Sequence, residues 1–501
     1  MRQKHRTRKI PAAVHILRMT GIACLLLSRL ADGAWLKLSP EGLPVLGTLS
    51  TLAGYSIFLW LLIRAEDRRE LTASVMCFVI GFALRCFGFF DSGAADLLIF
   101  GLAGCPAVLP FLLSRLAFRR KLKGGVLVFP LAWMSLFAAG SLLGMNGPFR
   151  LELYLFGCKP LLQGTAWIGA SGLCFLLAAA ASSLAALFMK ETRRQGRRAA
   201  LVLLGLWGCL FGLGTLRLVR APKEGPTLRT AFAAGTYCGD FMTAEDLPLA
   251  EDFACLEQTA REAKAQKAEL LLFSEEAFEL PAEDRESFMS RARALAKELE
   301  LPMVLGLELI GGEGEKGDNC LVLIDSRGQE LIHYSKYCLV PLIESGQYLR
   351  GDGELPVFAL ETEAGTVRVA LAICYDSNFS HYVAGMADDA DILLLPSWDW
   401  DGITGQHFRI AGMLGPENGV SVLKATYDGL TLAEDAYGRE LLLEHSESLG
   451  YGHAVTLELP AEGTRTLYGA VGSWLLWICP TALLLWFGLL WGKKRSEARV
   501  Q

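Results

Sequence analysis

What most constrains this chain is a series of largely uncharged apolar stretches of the length needed to cross hydrocarbon, roughly 17–25 residues. They are read near 13–30, 43–63, 71–90, 97–114, 125–145, 162–188 and 199–218, with a last one near 469–491. The first follows a basic start, M-R-Q-K-H-R-T-R-K, which raises the possibility of a signal peptide. Arg18 and Arg29 interrupt its apolar part and no small-x-small cleavage site follows, so it is read as an anchor.

Lys and Arg alternate between the connecting segments in the way that sets membrane orientation. The amino terminus carries five, Arg64–Glu70 three, Arg115–Lys123 five, Lys190–Arg198 five and the tail after Trp491 four. The alternate connections hold only Lys37, then none in Asp91–Asp96, then Arg150 and Lys159. Both termini are therefore expected in the cytoplasm. Seven crossings in residues 1–223 then deliver residues 224–465 to the outer face. Residues 466–501 supply an eighth crossing and a basic cytoplasmic tail.

Charge divides the chain at the same places. Residues 224–465 hold 17 Lys/Arg and 43 Asp/Glu, a net of −26, against 31 and 10, a net of +21, elsewhere. A domain this acidic is a poor partner for nucleic acid, whose phosphates need neutralising. Of the 13 cysteines, five lie in the acidic domain, at 238, 255, 320, 338 and 374, an irregular set that is no disulfide framework. No C-x-x-C, H-E-x-x-H, His cluster or G-x-x-x-x-G-K-[ST] occurs, so neither a metal, a P-loop nor any other cofactor is expected.

Within 224–465, apolar strand-like runs alternate with helical spacing near 252–268, 285–299 and 405–417. Strand-like pairs flank Ser326-Arg327-Gly328 and Tyr437-Gly438-Arg439. The expectation is a layered α/β sandwich. Its centre is Val367–Phe379, V-R-V-A-L-A-I-C-Y-D-S-N-F, an apolar strand that stops at Cys374. Glu275 follows the apolar run L-L-L-F-S, and Lys336 follows the strand after the hairpin turn. A thiol, a carboxylate able to take its proton and an ammonium able to hold an oxyanion are the parts of a thiol acyl-transfer site. Strand alternation lets only one of Glu275 and Glu276 face that site, and Glu275 is taken as that one. Arg85, in an apolar run near the outer end of the third stretch, is a candidate lipid-phosphate contact or a residue snorkelling to the interface.

These residues resemble the nitrilase (carbon–nitrogen hydrolase) superfamily and, within it, the apolipoprotein N-acyltransferases. Y-S-K-Y-C-L-V-P-L-I-E, Tyr334 to Glu344, resembles that family's lysine segment Y-x-K-x-x-L-V-P-x-x-E. Cys374-Tyr375-Asp376 stands for its C-Y-E, and F-S-E-E-A for its glutamate segment. Trp400–Gly402, Gly405–His407, Glu417 and Thr466–Tyr468 follow in the family's order. The sequence departs from the pattern at Ser274, Asp376, Ser397-Trp398 and Gly472-Ser473, and in A-A-G-T-Y-C-G-D-F after the first strand.

The resemblance implies a multi-span membrane domain with an extracytoplasmic αββα nitrilase-like domain, in a bacterial cytoplasmic membrane. It implies a Glu275–Lys336–Cys374 triad, with Glu344, Tyr375, Asp376 and Trp400 positioning substrate or the triad. It also implies acyl transfer from a phospholipid, through a thioester on Cys374, to the terminal amine of a lipoprotein. The spans are expected to leave the protein monomeric. A membrane-tethered amidase, or an acyltransferase for another amine, would use the same three residues.

Overall fold

The computed structural model describes residues 11–32, 42–90, 92–145, 147–234, 249–312, 314–362, 365–386 and 389–500, the last twelve by backbone alone. The basic start, Lys37, Asp91, and residues 235–241 with Cys238 fall outside the described residues.

Among the described residues six helices are long and apolar enough to cross a membrane: Ala12–Leu30, Pro44–Arg64, Ala94–Arg119, Gly125–Leu142, Thr165–Leu187 and Arg193–Arg220. The expected third crossing corresponds to Arg68–Arg85, which opens on Arg68, Arg69 and Glu70 and is not among the six. The expected eighth corresponds to Trp474–Val500, whose apolar part, Trp474–Gly488, is shorter. The helices pack on an aromatic core. Tyr55, Phe58, Phe78, Phe111, Phe129 and Trp133 are all buried, with Tyr55 and Trp133 edge to face at 5.0 Å.

Two large sheets follow, beside a two-stranded pair of Ser397–Trp398 with Thr426–Tyr427, and the alternation in the large sheets' strands explains the layering. One runs in the order Val455–Pro460, Thr227–Ala233, Leu270–Phe273, Met303–Leu309, Asp318–Ile324, Glu330–Ser335. The other runs Glu440–His445, Leu430–Glu434, Ser421–Lys424, Ile392–Leu394, Gly365–Leu371, Val357–Thr362. Val367, Val369 and Leu371 point between the sheets, against Leu270, Leu272 and Val304. Ala370 points the other way, to Ala411 and Leu414 of the helix Asp401–Asn418. On the far side, Leu271 and Phe273 meet the helices Leu249–Ala265 and Arg285–Leu299. Period-two alternation with both faces apolar thus gives the expected αββα sandwich.

Both hairpins form where the turn residues predict. Gly328, at φ +79°, turns Asp318–Ile324 into Glu330–Ser335, with Asp325 Oδ1 accepting the Arg327 and Gln329 amides. The central strand is shorter than the sequence suggests: it ends at Leu371, and Cys374 opens a 3-10 turn, Cys374–Asn378.

The sandwich sits on the helical region through buried polar contacts. Asp32 Oδ1 meets Arg409 Nη1 at 3.0 Å, and Arg29 donates to Gly402 O at 3.0 Å. The helix Thr165–Leu187 breaks at Gly169, where φ is +70° and ψ 168°. Glu417 Oε1 accepts the freed Ala170 amide at 2.7 Å, and a Cβ on Gly169 would overlap Tyr468. Glu417 therefore caps the second half of a broken helix, a favourable place for a carboxylate.

Candidate active site

Glu275, Lys336 and Cys374 come from three strand ends and converge in one buried pocket. Lys336 Nζ donates to Glu275 Oε1 at 2.6 Å and to Glu344 Oε1 at 2.5 Å. Glu275 Oε2 accepts the Trp398 amide at 2.7 Å, while the Cys374 thiol points at the Trp398 carbonyl, Sγ to O 3.6 Å. A single residue's main chain thus bridges the carboxylate and the thiol. All three side chains are buried, Cys374 4% exposed and Lys336 fully covered, so their charges act on one another with little screening.

The local chain explains each placement. The strand Leu270–Phe273 ends just before Ser274, and Gly306 lets the neighbouring strand pass under it. A Cβ there would stand 1.9 Å from Ser274 O. Lys336 follows the last residue of Glu330–Ser335, and its amide is fixed by Asn319 O at 2.9 Å. Cys374 adopts φ +41°, a left-handed conformation costly for a side chain with a Cβ and common at functional turns. Asp376 secures that turn: Oδ2 accepts the Ile373 amide and the Tyr334 hydroxyl, and Oδ1 accepts the Cys338 amide, at 2.7–2.9 Å. It therefore ties the cysteine turn to the lysine segment.

Glu276 departs from the alternation argument. It lies beyond the strand, at φ +50°, so the two-residue repeat no longer governs it. Asn319 Nδ2 donates to Glu275 Oε1 at 2.8 Å and to Glu276 Oε1 at 2.6 Å, so both carboxylates face the pocket. Burial, then the Glu275 charge, raises the Glu276 carboxyl well above the ordinary carboxylate range. Burial also raises Glu344, against the pull of Lys336. For Lys336, burial works towards the neutral amine, but Glu275 and Glu344 outweigh it and hold the ammonium firmly charged. The Cys374 thiol is raised by burial and by Glu275, with Lys336 opposing, so the resting side chain is a thiol and its attack requires a base.

The other expected residues bond to the helical region or lie within it. Tyr375 O–H donates to Gly144 O at 2.8 Å, and Trp400 Nε1–H donates to Phe89 O, both on connections of the helical region. Arg85 ends the helix Arg68–Arg85 and donates Nη2 to Arg150 O at 2.8 Å. Three residues of the site went unnoticed in the sequence: Asn319, Asp399 and Lys424. Lys424 carried a signal, an isolated lysine in the apolar run S-V-L-K-A-T. Among the described residues three donor groups are close enough to share an ion: Glu275/Glu276/Glu344, Cys374/Asp399/His407 and Asp318/Cys320/His333. In the first, the Lys336 ammonium already occupies the space between Glu275 and Glu344.

The carbon-nitrogen hydrolase family model matches residues 244–456. The chain is 24% identical over 390 residues to the apolipoprotein N-acyltransferase of Pseudomonas syringae pv. tomato, covering 71% of this chain and 72% of that one. It is 25% identical over 421 residues to that of Geobacter metallireducens, covering 76% and 77%. Among solved structures, an amidase from Nesterenkonia sp. aligns with a TM-score of 0.39 and 22% identity, covering 48% of this chain and 92% of that one. Residues 244–456 thus match the carbon-nitrogen hydrolase family model, and most of the chain is similar to apolipoprotein N-acyltransferases.

Proposed function

We propose that the protein is a membrane N-acyltransferase that moves a fatty acyl chain from a phospholipid to the terminal amine of a lipoprotein through a thioester on Cys374. The observation that carries this reading is the convergence of Glu275, Lys336 and Cys374 in a buried pocket whose rim is fastened to the helical region by Tyr375 and Trp400. Orientation by the Lys and Arg pattern puts this pocket on the extracytoplasmic side of a bacterial inner membrane.

In the first half-reaction Glu275 takes the thiol proton as Sγ bonds to the ester carbonyl carbon. The resulting oxyanion is met by the Lys336 ammonium and the Tyr375 backbone N–H. The carbonyl reforms, the lysophospholipid alkoxide leaves, and Glu275 returns the proton to it. In the second half-reaction the lipoprotein amine attacks the thioester, Glu275 removes the excess proton from nitrogen, and the thiol is released as that proton returns to sulfur. The kinetics are ping-pong.

Burial and the Glu275 charge push the Glu276 carboxyl towards its neutral form, which limits the negative charge around Glu275. Burial of the thiol, with Pro341 closing on Gly144, favours amine over water as the second nucleophile. The test is complementation of a bacterial strain depleted of its own lipoprotein N-acyltransferase, read by mass spectrometry of lipoprotein amino termini. Triacylated termini are expected. Growth without N-acylation, or amide turnover in its place, would overturn the reading and favour a membrane-tethered amidase.

A further inference from the structure

Beneath the nucleophile lies a second buried polar chain that the reaction above does not use. Lys424 Nζ donates to Asp399 Oδ2 at 2.8 Å and to Thr426 Oγ1 at 2.7 Å. Asp399 Oδ1 is 2.6 Å from His407 Nδ1. His407 Nε2 stands 3.0 Å from Ser377 Oγ and 3.3 Å from the Cys374 carbonyl oxygen, which also accepts Ser377 Oγ–H at 2.7 Å. Lys424 and Asp399 are fully covered and His407 is 3% exposed. Buried ions are costly unless paired and fully bonded, and here each charged group has its partner within hydrogen-bond distance.

Four elements meet in this chain. Cys374 follows the strand Gly365–Leu371, Asp399 follows Ser397–Trp398, His407 sits on the helix Asp401–Asn418, and Lys424 ends the strand Ser421–Lys424. Two consequences reach the thiol. First, the Cys374 peptide oxygen is gripped by Ser377 and faced by His407, while its own amide is held by Pro396 O at 2.9 Å. That fixes both sides of a residue at φ +41°. Second, Asp399 anchors the residue next to Trp398, whose amide bonds Glu275 and whose carbonyl faces the thiol.

We propose that Lys424, Asp399 and His407 form a buried positioning relay that locks the Cys374 turn and the Trp398 main chain, setting thiol and base in reach of each other. The proposal rests on Cys374 being the nucleophile and concerns its placement, whatever acyl acceptor follows. A carboxylate can only accept, so Asp399 orients the His407 ring through Nδ1–H and turns Nε2 toward the turn. Lys424 in turn holds Asp399 in one rotamer, with its charge neutralised in place.

The test is alkylation of Cys374 by iodoacetamide in the purified full-length protein, followed by peptide mass spectrometry, which needs neither acyl donor nor acceptor. H407Q and K424M are expected to slow Cys374 alkylation by about 10²-fold, the scale of a misplaced reacting group. The buried Cys255 and Cys320 of the sandwich should stay unreactive, which reports an intact fold. K424R, which keeps the charge, should recover most of the rate lost in K424M. Cys374 alkylation at the wild-type rate in both H407Q and K424M would overturn the relay. So would equal slowing in K424R and K424M with Cys255 and Cys320 still unreactive. Should H407Q fail to accumulate, the K424R and K424M pair decides alone. A wild-type protein that alkylates normally yet transfers no acyl chain would sink the proposed reaction and leave the relay standing.

Discussion

Tyr375 donates its hydroxyl to the Gly144 carbonyl at 2.8 Å, so the residue following the nucleophile is fastened to a connection of the helical region. The cysteine turn is therefore held from two sides, by Asp376 within the sandwich and by Tyr375 outside it. Tyr375→Phe removes only the outer bond. The acylation rate should fall by about tenfold, the worth of roughly one hydrogen bond. Stopped-flow or quench measurement of acyl-enzyme formation, beside an unchanged melting curve, checks this.

Lys336 sits between two carboxylates, at 2.6 Å from Glu275 and 2.5 Å from Glu344. Lys336→Met would leave both acids without their cation in a covered pocket. Breaking a buried pair from one side costs about 3–5 kcal/mol, and losing an oxyanion donor costs about 10²–10³ in rate. The variant should melt earlier and acylate at least that much more slowly. An intact rate would remove Lys336 from the mechanism.

The pH response of stability follows from Glu276. Burial and the Glu275 charge raise its folded-state affinity for a proton above that of the unfolded chain. Its contribution is fully present below the unfolded carboxyl value and is lost as pH rises through the folded value. Glu276→Gln keeps an oxygen for Asn319 Nδ2 but binds no proton. The melting temperature of the variant should therefore gain on wild type as pH rises from the ordinary carboxyl range upward. A constant difference across that range would contradict this.

The seat of the sandwich on the helices depends on Asp32. Its carboxylate meets Arg409 at 3.0 Å and Arg29 at 3.5 Å, all three buried, and a Cβ on Gly405 would overlap it. Asp32→Ala should cost about 3–5 kcal/mol, and Gly405→Ala should disturb the same contact by overlap. Both should make the connections between helices and sandwich more open to limited proteolysis, with the isolated alkylation of Cys374 falling in parallel.

The elements that were legible in the sequence are those governed by short-range rules. Alternation in Val367–Leu371, the Ser326–Gly328 turn and the apolar lengths of the helices each read out a local periodicity. Glu275, Lys336 and Cys374 were legible as candidates because each lies just past a strand and carries a reactive group. What escaped was set by tertiary placement. Glu276 turns back to the pocket only because its strand has already ended at Phe273. Asn319 serves both carboxylates from a strand two places along the sheet. Asp399 and Lys424 are 25 residues apart and meet only when their two elements pack. No periodicity in the chain encodes that meeting.

The most direct measurement is intact-mass analysis of the purified protein after incubation with phospholipid vesicles, followed by addition of a diacylglyceryl-cysteine peptide. The account predicts a mass increase of one fatty acyl group on Cys374, sensitive to hydroxylamine, that vanishes as the peptide gains the same group. It predicts no such adduct in Cys374→Ala. Acylated peptide formed by Cys374→Ala, or an adduct that the peptide never discharges, would contradict it.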